Sequence, residues 1–382
     1  MSGEGRPLYS PVTRLPLRPD TPHSLVDEAR GRWPVVDAIP YLRTGREALV
    51  AAVLDRLDAG DRGGALVALL ADQDDWWTGP PAEPERLRAL VRDAGSLSFR
   101  QAMDQLGLGR VGDYFAHRWS DPTFLAGLAL IKTSGGAPAR AFELACGAGH
   151  YLRELTRRGT ACLGADVVFA KLWLARHWVA SQAELVCFDA AAPWPVEGRG
   201  FDLTLCADAF YFLEPKGEIA ARLRGLVEAG GRMAIPHVHN RDWPNLSAGA
   251  AVSAAELATL FPDATAYDDA ELTRALAEAR APRPRPWAEL GGVEAFSLVE
   301  GGGPPRPVGG GLALPPPDAP LVRNPLYGPD GEIAWPSDRY RAEYAPRATY
   351  PARSTAPKRS VMGPDFAALA RSRELVDLPE RW

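Results

Sequence analysis

The sequence predicts an α/β chain built on a doubly wound, mostly parallel sheet, with a helical extension ahead of it and an irregular tail behind. Two observations carry this. The run Phe142-Glu143-Leu144-Ala145-Cys146-Gly147-Ala148-Gly149-His150-Tyr151 joins a short apolar strand to a glycine turn, with an acidic residue just ahead of the turn. Gly147 and Gly149 let the backbone pass close to a ligand where a Cβ would collide, and the helix that follows offers unpaired N–H groups in its first turn. The second observation is order: strands ending in carboxylates alternate with helical patterns, as in sheets that bind ligands at the carboxyl ends of their strands where strand order reverses.

Downstream of the glycine turn, Thr160 to Ala165 forms a second apolar strand that ends in Asp166, and Glu184 to Phe188 a third that ends in Asp189. A fourth, Phe201 to Cys206, leads into Ala207-Asp208-Ala209-Phe210-Tyr211, and a fifth, Arg232 to Ile235, follows Gly230-Gly231. Any one of these carboxylates could simply cap a helix. Four in register are harder to explain in that way.

These residues resemble a class I S-adenosylmethionine-dependent methyltransferase, with a Rossmann-like sheet, over residues 110–300. The family's first motif, D/E-x-G-x-G-x-G, is matched by Glu143, Gly147 and Gly149, with Ala145 in place of the first glycine. The resemblance implies S-adenosylmethionine as cofactor, held by Glu143, Ala145, Gly147 and Gly149. It places Asp166 and the adjacent Val167 at the ribose, Asp189 at the adenine amine, and Asp208 at the end of the fourth strand. A nicotinamide or flavin domain would need G-x-G-x-x-G, and Leu152 stands where its third glycine belongs. That leaves a dinucleotide-dependent oxidoreductase as the weaker reading. A cofactor-binding scaffold that does not methylate is another alternative, because Ala145 departs from the motif.

Composition suits an enzyme with an ordinary core. Of 382 residues, 46% are hydrophobic and 24% charged, and no apolar run approaches the ~18–20 residues of a membrane span. Met1-Ser2-Gly3-Glu4-Gly5-Arg6 lacks the basic segment and apolar core of a secretory signal, so a cytoplasmic protein is expected. A net charge of −5 argues against a nucleic-acid substrate. The fourth-strand segment Ala207-Asp208-Ala209-Phe210 also lacks the N/D-P-P-Y/F pattern of many amino-group methylators of nucleic acids and proteins, which directs the expectation to a small-molecule acceptor.

Methyl transfer from a sulfonium is an in-line displacement, so alignment and removal of water can supply much of the catalysis. A base is needed when the acceptor carries its proton into the transition state. Asp208, Tyr211 and His237 are the candidate catalytic residues, with His239 beside them. In an extended chain His237 and His239 face the same way, and such a pair could bind a metal or share a proton. No carboxylate lies in the same short segment, and no metal is assigned. Cys146, Cys162, Cys187 and Cys206 show no zinc spacing and read as small buried hydrophobes.

Residues 1–109 form an N-terminal extension read as mainly helical. Thr44-Gly45-Arg46-Glu47 reads as a capping box before Leu49, Val50, Val53, Leu54 and Leu57. Further helices are expected at Gly63–Leu70, Pro84–Val91 and Phe99–Leu106, and Asp121-Pro122 starts another over Thr123 to Lys132. In related methyltransferases, helices just ahead of the first strand close over the cofactor, which implies a lid role for Tyr114, His117, Arg118 and Trp119. Arg32 to Pro40 resembles the end of small zinc-ribbon-like domains that accompany some methyltransferases. The zinc cysteines are absent, which leaves a packing element.

After the fifth strand, Ser253-Ala254-Ala255-Glu256 and Asp268-Asp269-Ala270-Glu271 read as capping boxes. Val293 to Val299 supplies one strand of the family's closing hairpin, with Gly310 to Leu314 as the expected partner. Residues 301–320 form a Gly/Pro-rich linker. Residues 321–382 form an aromatic, proline-rich tail, expected to lie extended over the substrate opening or against a second subunit of a homodimer. Between 339 and 373 eight basic residues face two acidic ones, which would suit an anionic substrate or partner or simply a solvated basic face.

Overall fold

The computed structural model describes residues 7–244, 249 and 251–382; the Met1–Arg6 run, read above for a targeting signal, lies outside the described residues. The described chain opens on an antiparallel meander of four short strands, β1 (Arg18–Thr21), β2 (Ser24–Val26), β3 (Arg32–Val36) and β4 (Ile39–Pro40). The helical reading of the extension missed it, because strands of two to five residues interrupted by Pro19, Pro34 and Pro40 show no legible period. Arg32 to Pro40, the segment likened to a zinc-ribbon end, supplies β3 and β4.

Helices follow as expected: α1 (Glu47–Asp58), α2 (Arg62–Leu70), α3 (Pro84–Asp93), α4 (Phe99–Gln105), α5 (Arg110–His117) and α6 (Pro122–Thr133). The start of α1 needs correction, since no side chain caps it and Glu47 instead accepts from the Gly45 N–H at 3.0 Å. Ser98 and Gln101 form the capping box of α4, and Asp121 caps α6 through the Phe124 N–H with Pro122 in the first turn.

The central sheet starts with β5 (Arg140–Leu144), followed by α7 (His150–Thr156), β6 (Ala161–Asp166), α8 (Phe169–Leu174) and β7 (Glu184–Cys187). The chain then returns to the other side of β5 with β8 (Phe201–Leu205), α9 (Lys216–Leu226) and β9 (Val227–His239). After α10 (Ala254–Leu260) come β10 (Thr265–Asp268), α11 (Asp269–Ala277) and β11 (Ala295–Gly301). Strand order is β10-β11-β9-β8-β5-β6-β7, with β11 alone antiparallel to its neighbours. Order reverses between β5 and β8, the kind of point at which doubly wound sheets bind their ligands.

Strand β9 starts earlier than the sequence indicates. Its pairing with β8 jumps from Phe201↔Val227 to Leu203↔Arg232, so the Gly230-Gly231 segment is accommodated as an irregularity inside one strand. The hairpin partner of β11 is also corrected: it is β10, while Gly311–Ala313 is a 3-10 turn. The strand expected at 310–314 is too glycine-rich to pair. At α11, Asp268 caps through the Ala270 N–H, and Glu271 accepts from the Arg283 N–H and from Arg280, so the second capping box does not close. The Ser253 box does close.

Tyr41 bridges Cys187, and the Leu42 N–H donates to the Cys187 carbonyl at 2.7 Å, so the meander covers the β7 edge of the sheet. Leu152 is accommodated by Gly164 on β6, where a Cβ would stand 2.4 Å from Leu152 Cδ1. The missing third glycine of a dinucleotide turn is thus replaced by a glycine on the neighbouring strand. All four cysteines are free and buried. Among the described residues no helix is long and apolar enough to cross a membrane.

The tail is more structured than its composition suggests. It holds β12 (Pro320–Arg323), α12 (Asp338–Tyr344), β13 (Arg359–Val361), α13 (Ala367–Arg371) and β14 (Leu375–Val376), with the three strands in one small sheet. The 301–320 segment is packed as well, with Val308, Leu312 and Ala313 buried and Arg306 clasped by Thr133. Near the end of the chain, Asp377 is 5% exposed and pairs with Arg153 of α7 and with Arg157 just after that helix. Asp377→Ala takes a shared carboxylate from Arg157 and from Arg153, which keeps Glu154, and should cost about 2–3 kcal/mol, read as a lowered denaturant midpoint. Gly164→Ala, at an ordinary φ, should cost about 1–3 kcal/mol through overpacking alone.

Candidate active site

The glycine turn is built from left-handed backbone. Ala145 (φ 55°), Gly147 (φ 54°) and Gly149 (φ 80°) all lie in that region, so Ala145 holds a strained conformation that glycine would adopt freely. Asp166, at the end of β6, fastens the turn: Oδ2 accepts from the Gly147 N–H and Oδ1 from the Val168 N–H, both at 2.9 Å. Lys171 lies 3.9 Å from Asp166 and 3.6 Å from Asp74 of the N-terminal extension. Glu143 is 2% exposed, and its Oε2 has no hydrogen-bond partner. Burial raises its pKa well above the ordinary range, although Arg118 opposes the shift. Asp189 is half-buried and caps its own turn through the Ala191 N–H.

The four residues expected to form a lid all precede α6. Tyr114 donates to Asp208 Oδ2 at 2.7 Å. Arg118, solvated if the helix were merely amphipathic, is 3% exposed; it stacks on the Tyr114 ring, holds both oxygens of Asp121 at 3.0–3.1 Å and lies 3.3 Å from Asp208. His117 and Trp119 are buried in aromatic contacts, His117 against Tyr340 and Trp382, and Trp119 against His150. His150, the first residue of α7, ties α5 to that helix, its Nε2–H donating to the Phe115 carbonyl at 3.0 Å.

Beyond the turn, the ends of β8 and β9 converge. Asp208 and His237 both have positive φ, 53° and 56°. The left-handed kink breaks strict strand alternation at His237, yet its ring stays 4.7 Å from that of His239. Asp208 Oδ1 accepts from Tyr211 Oη at 2.9 Å and stands 3.9 Å from His237 Nε2. On the other side of the ring, His237 Nδ1–H donates to Asp269 Oδ2 at 2.9 Å, and Ser297 Oγ donates to Asp269 Oδ1 at 2.7 Å. The tail completes the cluster: Arg347 reaches Asp269 at 3.1 Å and Glu294 at 3.3 Å.

Burial disfavours charge throughout this cluster, but pairing outweighs it at three positions. Asp269 and Asp208 hold His237 above the ordinary histidine range despite its burial, and the positive groups around them hold both carboxyls below theirs. His239 has no such compensation, and burial beside His237 lowers it to about 3.

Sequence reasoning thus named Asp208, Tyr211 and His237, which the fold brings together with His239. It missed Asp269, Ser297 and Arg347. Asp269 was present in the sequence only as part of an apparent capping box; Arg347 was one cation among eight between 339 and 373.

Residues 142–235 match a family model described as a methyltransferase domain. The chain carries a methyltransferase domain over this stretch. No curated protein matches the chain. Among solved structures, the methyltransferase domain is similar to a TehB-like S-adenosylmethionine-dependent methyltransferase from Corynebacterium glutamicum, 18% identical over 47% of this chain and 88% of that one, with a TM-score of 0.35. Burkholderia thailandensis 1,6-didemethyltoxoflavin-N1-methyltransferase is 20% identical over 62% of this chain and 97% of that one, with a TM-score of 0.35. Haemonchus contortus phosphoethanolamine N-methyltransferase 2, in complex with S-adenosylmethionine, is 15% identical over 55% of this chain and 61% of that one, with a TM-score of 0.37.

Two buried histidines, His117 at the end of α5 and His150 at the start of α7, give the protein a distinctive acid response. Burial lowers His150 to about 3 and His117 to about 4, so both fold in the neutral form. Because their folded pKa values lie below the unfolded value near 6.5, they stabilise the protein fully above that pH. That stability is lost as pH falls from ~6.5 through the folded values. Denaturant midpoints should fall over this window, and His150→Gln, which cannot acquire the charge, should flatten the dependence.

Proposed function

We propose that this domain transfers the methyl group of S-adenosylmethionine to a small-molecule acceptor, with the cofactor over the Glu143–Gly149 turn and the acceptor beside Asp208, Tyr211 and His237. The observation that carries this reading is the convergence of Asp208 and His237, both on strained backbone, at the carboxyl ends of β8 and β9 next to that turn. Strain of this kind persists where the surroundings over-determine it, and it concentrates at functional sites.

The residues suit the cofactor. Glu143 offers a buried carboxyl oxygen with no partner in the protein, one that a cationic amino group would hold in its ionised form, and a Cβ at Gly147 would crowd Phe115 at 3.2 Å. Asp166 and Val167 would meet the ribose, and Asp189 the adenine amine. The cofactor supplies an electrophilic methyl group on a sulfonium; the protein's part is to align the acceptor and exclude water. Tyr114, Arg118 and the tail residue Arg347 enclose the acceptor side, which favours a compact substrate over a polymer. For a protic acceptor, Asp208 Oδ1 and His237 Nε2 flank the space in which its proton would be received.

Calorimetric titration with S-adenosylmethionine, S-adenosylhomocysteine and NADH tests the cofactor. Binding of the two adenosyl ligands alone is expected, and binding of NADH alone would refute the reading. Asp166→Ala should weaken S-adenosylmethionine about 10–100-fold, the equivalent of losing one or two hydrogen bonds to a charged group. His237→Gln should keep cofactor affinity and lower turnover to S-adenosylhomocysteine by about 10²–10⁴ with a protic acceptor. Turnover equal to wild type would remove His237 from the reaction.

A further inference from the structure

We propose that Asp208, His237 and His239 form a binding site for one first-row divalent transition-metal ion, with open positions that take an oxygen or nitrogen donor of the methyl acceptor. The choice of acceptor as the outer ligand rests on the methyl-transfer reading above, with the ion taking the place between Asp208 and His237 that the proton would otherwise take; the ion site itself rests on geometry alone.

One donor atom from each of the three residues lies within 4.8 Å of the others, and all three side chains are shielded from bulk solvent, the two histidines fully buried. Donors bound to a common ion at ~2.1 Å stand ~3–3.5 Å apart, so the trio would close by about 1 Å on binding. The separation of His237 Nε2 from Asp208 Oδ1, 3.9 Å, is too long for a hydrogen bond and close to what two ligands of one ion require.

Two further observations point to a ligand. His239 is 5% exposed, yet its Nδ1 has no hydrogen-bond partner. A buried ring nitrogen left unsatisfied costs free energy that an ion would recover. His237, by contrast, is held as metal-binding histidines are held: Nδ1–H donates to the Asp269 carboxylate, itself fixed by Ser297 and Arg347, which leaves Nε2 as the donor facing Asp208.

Charge and donor type narrow the ion. Asp121, Asp208, Asp269 and Glu294 stand against Arg118 and Arg347 in this cluster, two carboxylates in excess. Two imidazoles and one carboxylate suit zinc, iron(II), cobalt(II) or manganese(II) better than magnesium or calcium, which prefer oxygen donors. Three protein ligands leave coordination positions open, as in catalytic rather than structural sites.

The test is titration of chelator-stripped full-length protein with Co²⁺, followed by visible absorption and calorimetry, with Mg²⁺ in parallel. The site requires one Co²⁺ per chain, displaceable by Zn²⁺, with Mg²⁺ at least ten-fold weaker. His239→Gln should abolish the absorption band, and Asp269→Asn, which touches no ion, should weaken Co²⁺ about 10–100-fold. Thermal unfolding establishes that each variant is folded. No stoichiometric Co²⁺ binding by the wild type, or binding unchanged by His239→Gln, overturns the site. S-adenosylmethionine titrated into the same stripped protein separates the two ideas. Cofactor binding without Co²⁺ binding removes the ion and leaves methyl transfer standing; Co²⁺ binding without cofactor binding supports the ion and removes the acceptor reading.

Discussion

The buried guanidinium of Arg118 is the charge on which the centre of this protein depends. It stands in the short turn between α5 and α6, 3% exposed, and faces Asp121 and Asp208 while stacking on Tyr114. Asp121 caps α6, Asp208 ends β8, and Tyr114 belongs to the lid helix, so one side chain joins three elements that meet nowhere else in sequence. Even with this cation beside it, burial lifts Asp121 to about 6. Removing the cation would leave acids that could neither ionise cheaply nor reach water.

Backbone strain follows the same geography. Ala145, Asp208 and His237 are non-glycine residues in the left-handed region, and they sit at the carboxyl ends of β5, β8 and β9, at or next to the point where strand order reverses. Each is locked by contacts from other elements: Ala145 by the turn that Asp166 fastens, Asp208 by Tyr114 and Tyr211, and His237 by Asp269 and Ser297. The sheet is thus regular where it supplies core and irregular where it presents chemistry.

The tail belongs to this arrangement. Its aromatic cluster of Leu326, Tyr327, Tyr340, Tyr344 and Tyr350 packs against Tyr114 of the lid. Arg347 enters the cluster of Asp208, His237 and Asp269, and Arg381 and Trp382 donate to carbonyls at Leu97 and Ala116. Side chains from the last quarter of the chain therefore enclose a site whose chemistry lies near its middle.

The sequence by itself determined the doubly wound sheet, the glycine turn and the strand-end carboxylates, because each is encoded locally: apolar runs of strand length, paired glycines, and an acid one residue past the last apolar position. It also marked Asp208, Tyr211 and His237 as a group. Only the tertiary structure decided which of them touch, since β8 and β9 become neighbours through sheet pairing and His237 escapes alternation through a left-handed φ that no pattern announces. Asp269, Ser297 and Arg347 were illegible for the same reason. Their roles come from a packed helix start, an antiparallel strand and a returning tail, brought together over sequence distances at which local propensity carries no information. The N-terminal meander was lost to its prolines, and the partner of β11 to pairing that only the whole sheet could choose.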